Sequence, residues 1–267
     1  MNHELKISEQ EKKVLVIDIG NTNTHFGIYA GEELKVYWSV LNNIIKKQQD
    51  IILLRLKTEM SRQNIFTIHQ CTISCVVPSL RDVFSEIILN AFGFNPLFIE
   101  YHSVKIPIFY NNLSELGVDR IVNALAAVKL YSLPCIIVDF GTATTFDVVS
   151  DKGEFIGGVI APGIGVSMET LWTKTEKLPS IEIDVPKSVI GKNTVDCMKS
   201  GIFYGFIGQV NEIIRRIQEE LIYKEDINVI ATGGLSNIIG PYSKYIRQID
   251  SLLTLKGLKI LTTLVSQ

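Results

Sequence analysis

Apolar positions first gather at Val14 and then fall into short runs separated by small polar turns. Residues 14–18, 25–30 and 34–40 each have the length and composition of a strand, with "GE" at 31–32 as a turn. Three such segments joined by short turns predict an antiparallel meander. The spacing then changes: Ile51, Leu54, Met60 and their neighbours recur at helical intervals and predict a helix over 46–62. "TIHQCTISCVV" predicts a strand stopped by Pro78. "SLRDVFSEIILNAF" predicts a helix capped by Ser79 and closed near Gly93. A short strand at "PLFIEY", a mixed loop over 104–116 and a helix at "GVDRIVNALAAVKLY" complete the first half, which Pro134 ends.

The pattern then restarts. "CIIVDFGTATTFDVVS" reads as strand, polar turn and strand, "KGEFIGGVIAPG" continues the meander, and a helix is expected from about Gly163. "NTVDCMKSGIFYGFIGQVNEIIRRIQEEL" predicts a long helix with Asn193 or Thr194 as N-cap. "INVIATGG" is a strand entering a glycine turn, and "SNIIGPYSKYI" a short helix. "VIDIGNTNTHFGI" laid over "IVDFGTATTFDVV" matches strand, Asp-x-Gly, Thr/Asn-rich turn and return strand, with Asp18 opposite Asp139. Repetition of a whole supersecondary unit at this distance predicts two similar lobes and excludes a short-period solenoid. The expected division is a flexible N-terminal tail over 1–13, one lobe over 14–132 and a second over 133–267.

The 267 residues are 46% hydrophobic and 20% charged, enough for a large core. The net charge of −2 has no long run of one sign, which argues against nucleic acid as the main ligand. The polar start "MNHELKISEQEKK" lacks the apolar centre of a signal peptide, and no apolar run approaches the ~18 residues of a membrane helix. A soluble, cytoplasmic protein is expected. Of the four cysteines only Cys71 and Cys75 are close; on a strand they share a face and read as small core residues, since no second Cys/His cluster completes a zinc site. The histidines at 3, 25, 69 and 102 form no ligand set. His25 sits on the first hairpin, either touching phosphate or exposed.

The hairpin tips carry the candidate chemistry. Glycine lets a ligand approach the backbone, and successive N–H groups in a tight turn make a concave anion site. Thr22, Thr24, Thr142, Thr144 and Thr145 add hydroxyls. A strand-end aspartate suits a metal ion or its water shell, which then meets phosphate oxygens. "SVIGKNT" lacks the upstream glycine and the Ser/Thr after Lys of a P-loop, and "PGIGVSM" lacks a third glycine. In "ELGVDR", Asp119 stands at a loop-to-helix junction, where it can take a proton from a hydroxyl or simply compensate the helix terminus. Arg120 beside it can hold an anionic group or be solvated. "GGVIAPG", "IGKNT" and "ATGGLSN" each suit close backbone approach or anion binding, and each is equally explained by turns and capping.

Taken in order, "DIGNTNT", "YNNLSELGVDR", "DFGTATT", "GGVIAPG", "IGKNT" followed by "SGIFYG", and "TGG" resemble the actin, sugar-kinase and heat-shock-chaperone ATPase superfamily, and within it the type III pantothenate kinases. The resemblance runs from about Val14 to Gly257. It implies an α/β fold of two ribonuclease-H-like lobes, a duplicated actin-like ATPase fold with a nucleotide cleft between them. It also implies ATP-dependent phosphorylation of pantothenate to 4'-phosphopantothenate, the first step of coenzyme A synthesis. Carried over position by position, Asp18, Ile19, Gly20, Asn21, Thr22, Asn23, Thr24 and His25 match the ATP phosphate loop, and Thr142 a further ATP contact. Asp139 matches a site for K+ or NH4+, and Asp18 works through Mg2+ and its water. Gly117, Val118, Asp119 and Arg120 match the pantothenate turn, with Asp119 as proton acceptor; Tyr110 and Thr194 match further pantothenate contacts. A homodimer that binds neither nucleic acid nor membrane is implied. Leu113 stands where many relatives have proline, which implies a less rigid substrate loop. The alternatives are a non-enzymatic relative acting as an accessory transcriptional regulator, or another small-molecule kinase of the superfamily. The presence of Asp18, Asp119, Arg120, Asp139 and Thr194 favours catalysis.

Overall fold

A computed structural model of the protein describes residues 12–221 and 226–265. The expected tail over 1–13 therefore lies outside the described residues except for Lys12, whose carbonyl accepts the Gly31 N–H, and Lys13, which already belongs to the first strand. The described chain divides into two compact units. The first holds the residues up to Lys105, Asn112–Ala126 and those from Thr254 onward; the second holds Ile106–Asn111 and Ala127–Leu253.

In the first unit, β1 (Lys13–Ile19), β2 (Asn23–Ala30) and β3 (Glu33–Leu41) form the antiparallel meander. β4 (Gln70–Cys75) and β5 (Leu97–Phe98) add in parallel, giving the order β3-β2-β1-β4-β5. β1 is central and apolar on both sides, as a strand covered on two faces must be. One face, with Leu15, Ile17, Phe26, Ile28 and Ile73, packs on α2 (Gln49–Arg62) and α3 (Arg81–Phe92). On the other, a Cβ on Gly27 would stand 3.2–3.3 Å from side-chain carbons of Leu34, of Val16 of β1 and of Leu255 of α8 (Leu253–Val265), a tight fit that the glycine relieves. Gly257 likewise lets α8 approach the Val122 carbonyl of α4 (Val118–Leu130), where a Cβ would stand 2.5 Å from the oxygen. A hydrogen bond of 2.7 Å from Thr262 Oγ1 to Thr72 Oγ1 pins α8 to β4.

The second unit repeats the topology. β6 (Cys135–Phe140), β7 (Ala143–Val149) and β8 (Phe155–Pro162) form the meander, and β9 (Asn228–Thr232) and β10 (Gln248–Ile249) extend it in parallel, in the order β10-β9-β6-β7-β8. Its core joins Val138, Phe140, Phe146 and Val229 to Phe203, Val210 and Ile214 of α6 (Thr194–Leu221), with Ile164 of α5 (Ile164–Thr173) and Ile239 of α7 (Ser236–Ile239).

Several expectations need correction. The helix foreseen over 46–62 is two helices, α1 (Asn42–Lys47) and α2, broken at Gln48 in a non-helical conformation. It starts early because the Asn42 N–H is bound to the Thr22 carbonyl (2.9 Å). Ser79 is not a cap: it lies in a 3₁₀ turn, Pro78–Leu80, led by a proline whose fixed φ and missing N–H suit a first position. Gly93 does close α3, in the left-handed conformation. The two units are not the continuous lobes expected from the sequence. The chain passes between units within α4, Ile106–Asn111 joins the second through Phe109 N–H to Phe155 C=O (2.8 Å), and α8 returns to the first. α8 and β10 were foreseen by no sequence signal considered above.

Candidate active site

The first hairpin turns through Gly20, Asn21, Thr22 and Asn23, between the paired residues Ile19 and Thr24. Gly20 N–H donates to Asn23 C=O at 3.0 Å. The rest of the turn is fixed by one residue. The Asn42 side-chain amide donates to the carbonyls of Gly20 (2.6 Å) and Asn21 (3.2 Å), its Oδ1 accepts from Thr24 Oγ1 (2.7 Å), and its backbone N–H takes the Thr22 carbonyl. Three consecutive carbonyls are thus held, and the peptide planes of the turn with them. Such fixed planes are what a concave, N–H-lined anion site requires. Asn21 and Thr22 are exposed, whereas Ile19 and Thr24 are buried, the Thr24 hydroxyl being spent on Asn42. His25 is neither exposed nor free: it stacks on Tyr37 with ring centroids 6.1 Å apart, and its Nδ1 lies 3.0 Å from Tyr37 Oη. Burial pushes its pKa below the usual value, so the ring is neutral at pH 7. Asp18, directly before the turn, is half-buried.

Asp119 lies in the first turn of α4. One carboxylate oxygen accepts the Arg120 backbone N–H at 2.9 Å, and a Cβ on Gly117 would stand 2.5 Å from that same oxygen. The glycine of "GVDR" is therefore what lets the carboxylate fold back over its own loop. Burial raises the Asp119 pKa, opposed in smaller measure by the Arg120 backbone N–H and the guanidinium charge. A carboxylate moved toward neutrality by desolvation is a stronger base once ionised. Arg120 itself is buried. Asn112 braces the preceding loop, accepting from Ser114 N–H (3.2 Å) and donating to Glu115 (2.7 Å), at the position next to Leu113.

In the second unit the hairpin turns through only Gly141, Thr142 and Ala143, one residue fewer than the first. Here glycines replace the asparagine brace. Gly163 lies so close to the turn that a Cβ would sit 2.1 Å from the Thr142 carbonyl and 2.7 Å from that of Gly141. Gly233, at φ +87°, would place a Cβ 2.4 Å from Asp139 Oδ1. The last glycine of "GGVIAPG" and the first of "TGG" are thus accounted for by close packing on this hairpin and its acid, whereas a Cβ on Gly157 or Gly234 would meet nothing within 4 Å. Thr142 is exposed. Thr144, the counterpart of Thr24, is fully buried, and its hydroxyl has no hydrogen-bond partner among the described residues, because Gly163 stands where Asn42 would.

Tyr110 packs on Phe155 at 6.2 Å in the segment added beside β8. Thr194 opens α6, whose cap is Asn193: Asn193 Oδ1 accepts Asp196 N–H at 2.9 Å, and its amide donates to the Asp196 carboxylate at 2.7 Å. Thr194 lines a mostly apolar cavity of about 440 Å³ with Leu171, Leu178, Cys197, Met198, Gly201 and Ile202. Cys71 and Cys135 are buried and Cys75 partly so, but Cys197 is exposed. Among the described residues no three His, Cys, Asp or Glu side chains gather into a metal site. A cation at Asp18 or at Asp139 would rest on one carboxylate completed by phosphate, backbone and water oxygens. That donor set fits a hard cation that keeps much of its water. Sequence reasoning missed Asn42, for which a single asparagine after a strand carries no signal.

Two sheets of one topology, each with a strand-end aspartate before a glycine-led turn, define the duplicated fold of the actin-like ATPases. Solved structures agree. The chain aligns with a conserved putative Baf family transcriptional activator from Campylobacter jejuni over 94% of its length and 98% of that chain, with TM-score 0.59 and 20% identity. It aligns with MreB 5 of Spiroplasma citri over 96% and 97%, with TM-score 0.55 and 11% identity. The family model of the type III pantothenate kinases matches residues 14–216. The type III pantothenate kinase of Moorella thermoacetica is 46% identical, with 92% of this chain and 97% of the relative covered, and that of Finegoldia magna is 45% identical over 95% and 98%. The chain belongs to the type III pantothenate kinase family.

Proposed function

We propose that the protein transfers the γ-phosphoryl group of ATP to the primary hydroxyl of pantothenate, giving 4'-phosphopantothenate and ADP at the start of coenzyme A synthesis. Asp119 takes the hydroxyl proton as the oxygen attacks the γ-phosphorus, and the bond to the β–γ bridging oxygen breaks in line, without a covalent enzyme intermediate. The first hairpin, from Asp18 to His25, cradles the phosphates through the fixed N–H groups of its turn, and Thr142 adds a contact from the second. Arg120, with Gly117 and Val118, holds pantothenate, assisted by Tyr110 and Thr194. Mg2+, received by Asp18 through water, supplies positive charge for the oxygens of the transferring group. K+ or NH4+ at Asp139 supplies further charge at the phosphate end. The protein acts as a cytoplasmic homodimer. Among the described residues no helix is long and apolar enough to cross a membrane.

The observation that carries this reading is the Asp119 carboxylate, folded against Gly117 and raised in pKa by burial beside a buried Arg120. A helix-compensating acid would have no need of a glycine to turn it back. The test is direct: purified protein with ATP, Mg2+, K+ and pantothenate should yield ADP and phosphopantothenate in equal amounts. No turnover by a folded protein would refute the reading.

A further inference from the structure

Ser74, on β4, is completely buried, yet its hydroxyl has no hydrogen-bond partner among the described residues. Such a group costs about 1–3 kcal/mol relative to a satisfied one, and an alanine would fill nearly the same space without that cost. Its place in the sheet is specific. β1 and β4 run parallel with Asp18 opposite Ser74, so the two side chains leave the same face of adjacent strands. Across β1, His25 stands opposite Asp18 and completes a polar row at the end of the strand. One pleat back on the same face, Thr72 is also buried, but its hydroxyl is satisfied by Thr262 of α8. The helix that serves Thr72 does not serve Ser74, which lies one pleat nearer the turn.

We propose that Ser74 is a positioning residue for the divalent cation that accompanies ATP: its hydroxyl hydrogen-bonds a water molecule of the ion received by Asp18. The inference rests on the kinase reading for the ion and the nucleotide. Magnesium gives up its water reluctantly and is held by one or two carboxylates with phosphates and several waters, so the partners of those waters set where it sits. With a single acid on this row, an adjacent buried hydroxyl is the group that orients the water shell. Outer partners of this kind typically account for 10–100-fold in metal affinity.

The test is Mn2+ binding in the presence of ADP, followed by electron paramagnetic resonance, for the whole protein and for Ser74→Ala and Ser74→Cys. Ser74→Ala should weaken Mn2+ about 10-fold, leave metal-free nucleotide affinity unchanged, and melt no lower than wild type. Ser74→Cys, of similar size and a weaker donor, should fall between the two. Mn2+ affinity within about twofold of wild type in Ser74→Ala would overturn the inference. So would a loss of stability in both variants, since a hydroxyl without a partner does not support the fold. Failure of wild type to phosphorylate pantothenate would refute the kinase reading alone, because the Mn2+ titration contains no pantothenate.

Discussion

The hairpins at Asp18 and Asp139 are copies in topology, and they are held rigid by opposite means. The first has a four-residue turn tied down by the side chain and N–H of Asn42. The second has a three-residue turn with a bare Gly163 pressed on its carbonyls and Gly233 pressed on its aspartate. A hydrogen-bonded brace fixes peptide planes while leaving space around the turn. Close backbone packing instead sets the second turn and its acid directly beside glycine backbone. The difference explains why the Thr24 hydroxyl has a hydrogen-bond partner and that of Thr144 has none among the described residues.

The largest effect is expected outside both hairpins. Asp119→Asn should lower kcat by roughly 10²–10⁴-fold, as loss of a general base does, and leave ATP binding intact. Full activity would remove Asp119 as the base. The rate of the wild type should fall on acidification at a pH above the usual aspartate range, because burial raises the Asp119 pKa and protonation removes the base. The stability sign follows from the same shift. With the folded pKa raised, ionisation costs the folded state, that cost is present above the folded pKa and vanishes below the unfolded one. Asp119→Asn should therefore melt no lower than wild type at pH 7.

Next comes a paired substitution that measures the asymmetry itself. Gly163→Ala places a methyl 2.1 Å from a backbone carbonyl and should destabilise by about 3 kcal/mol in urea unfolding. Gly20→Ala, where the nearest contact is the Asn23 carbonyl at 3.1 Å, should cost about 1 kcal/mol or less. Equal costs would show that the turns are packed alike. Asn42→Ala should cost about 2 kcal/mol and raise the KM for ATP more than it lowers kcat. An unchanged KM would show that the brace does not shape the phosphate loop. The smallest effect is the cation: exchanging K+ for Na+ should slow turnover several-fold, and indifference would count against Asp139 as its site.

Much of this was legible in the chain. The two meanders, the helix at 118–130 and the glycine closing α3 follow from spacing and local chemistry that act within a few residues. The repeat of "DIGNTNT" in "DFGTATT" located both hairpins, although an ungapped overlay hid the missing residue in the second turn. Asn42 and Ser74 were not legible, because what matters in each is a neighbour 20 to 60 positions away. α8 shows the remaining limit. Its leucines at 255, 258 and 261 are buried at helical intervals, but nothing near them says that the helix packs on the sheet begun at Lys13.

The sequence by itself determined the elements, their duplication, the polar tips and the family motif that names the acceptor, because these depend on local periodicity and on residue type. Only the tertiary structure decided which glycines are crowded and by what, which amide holds the first hairpin turn, and which buried hydroxyl lies beside Asp18. Those are matters of distance between segments far apart in the chain, where a carbonyl oxygen 2 Å from an absent methyl leaves no trace in either segment read alone.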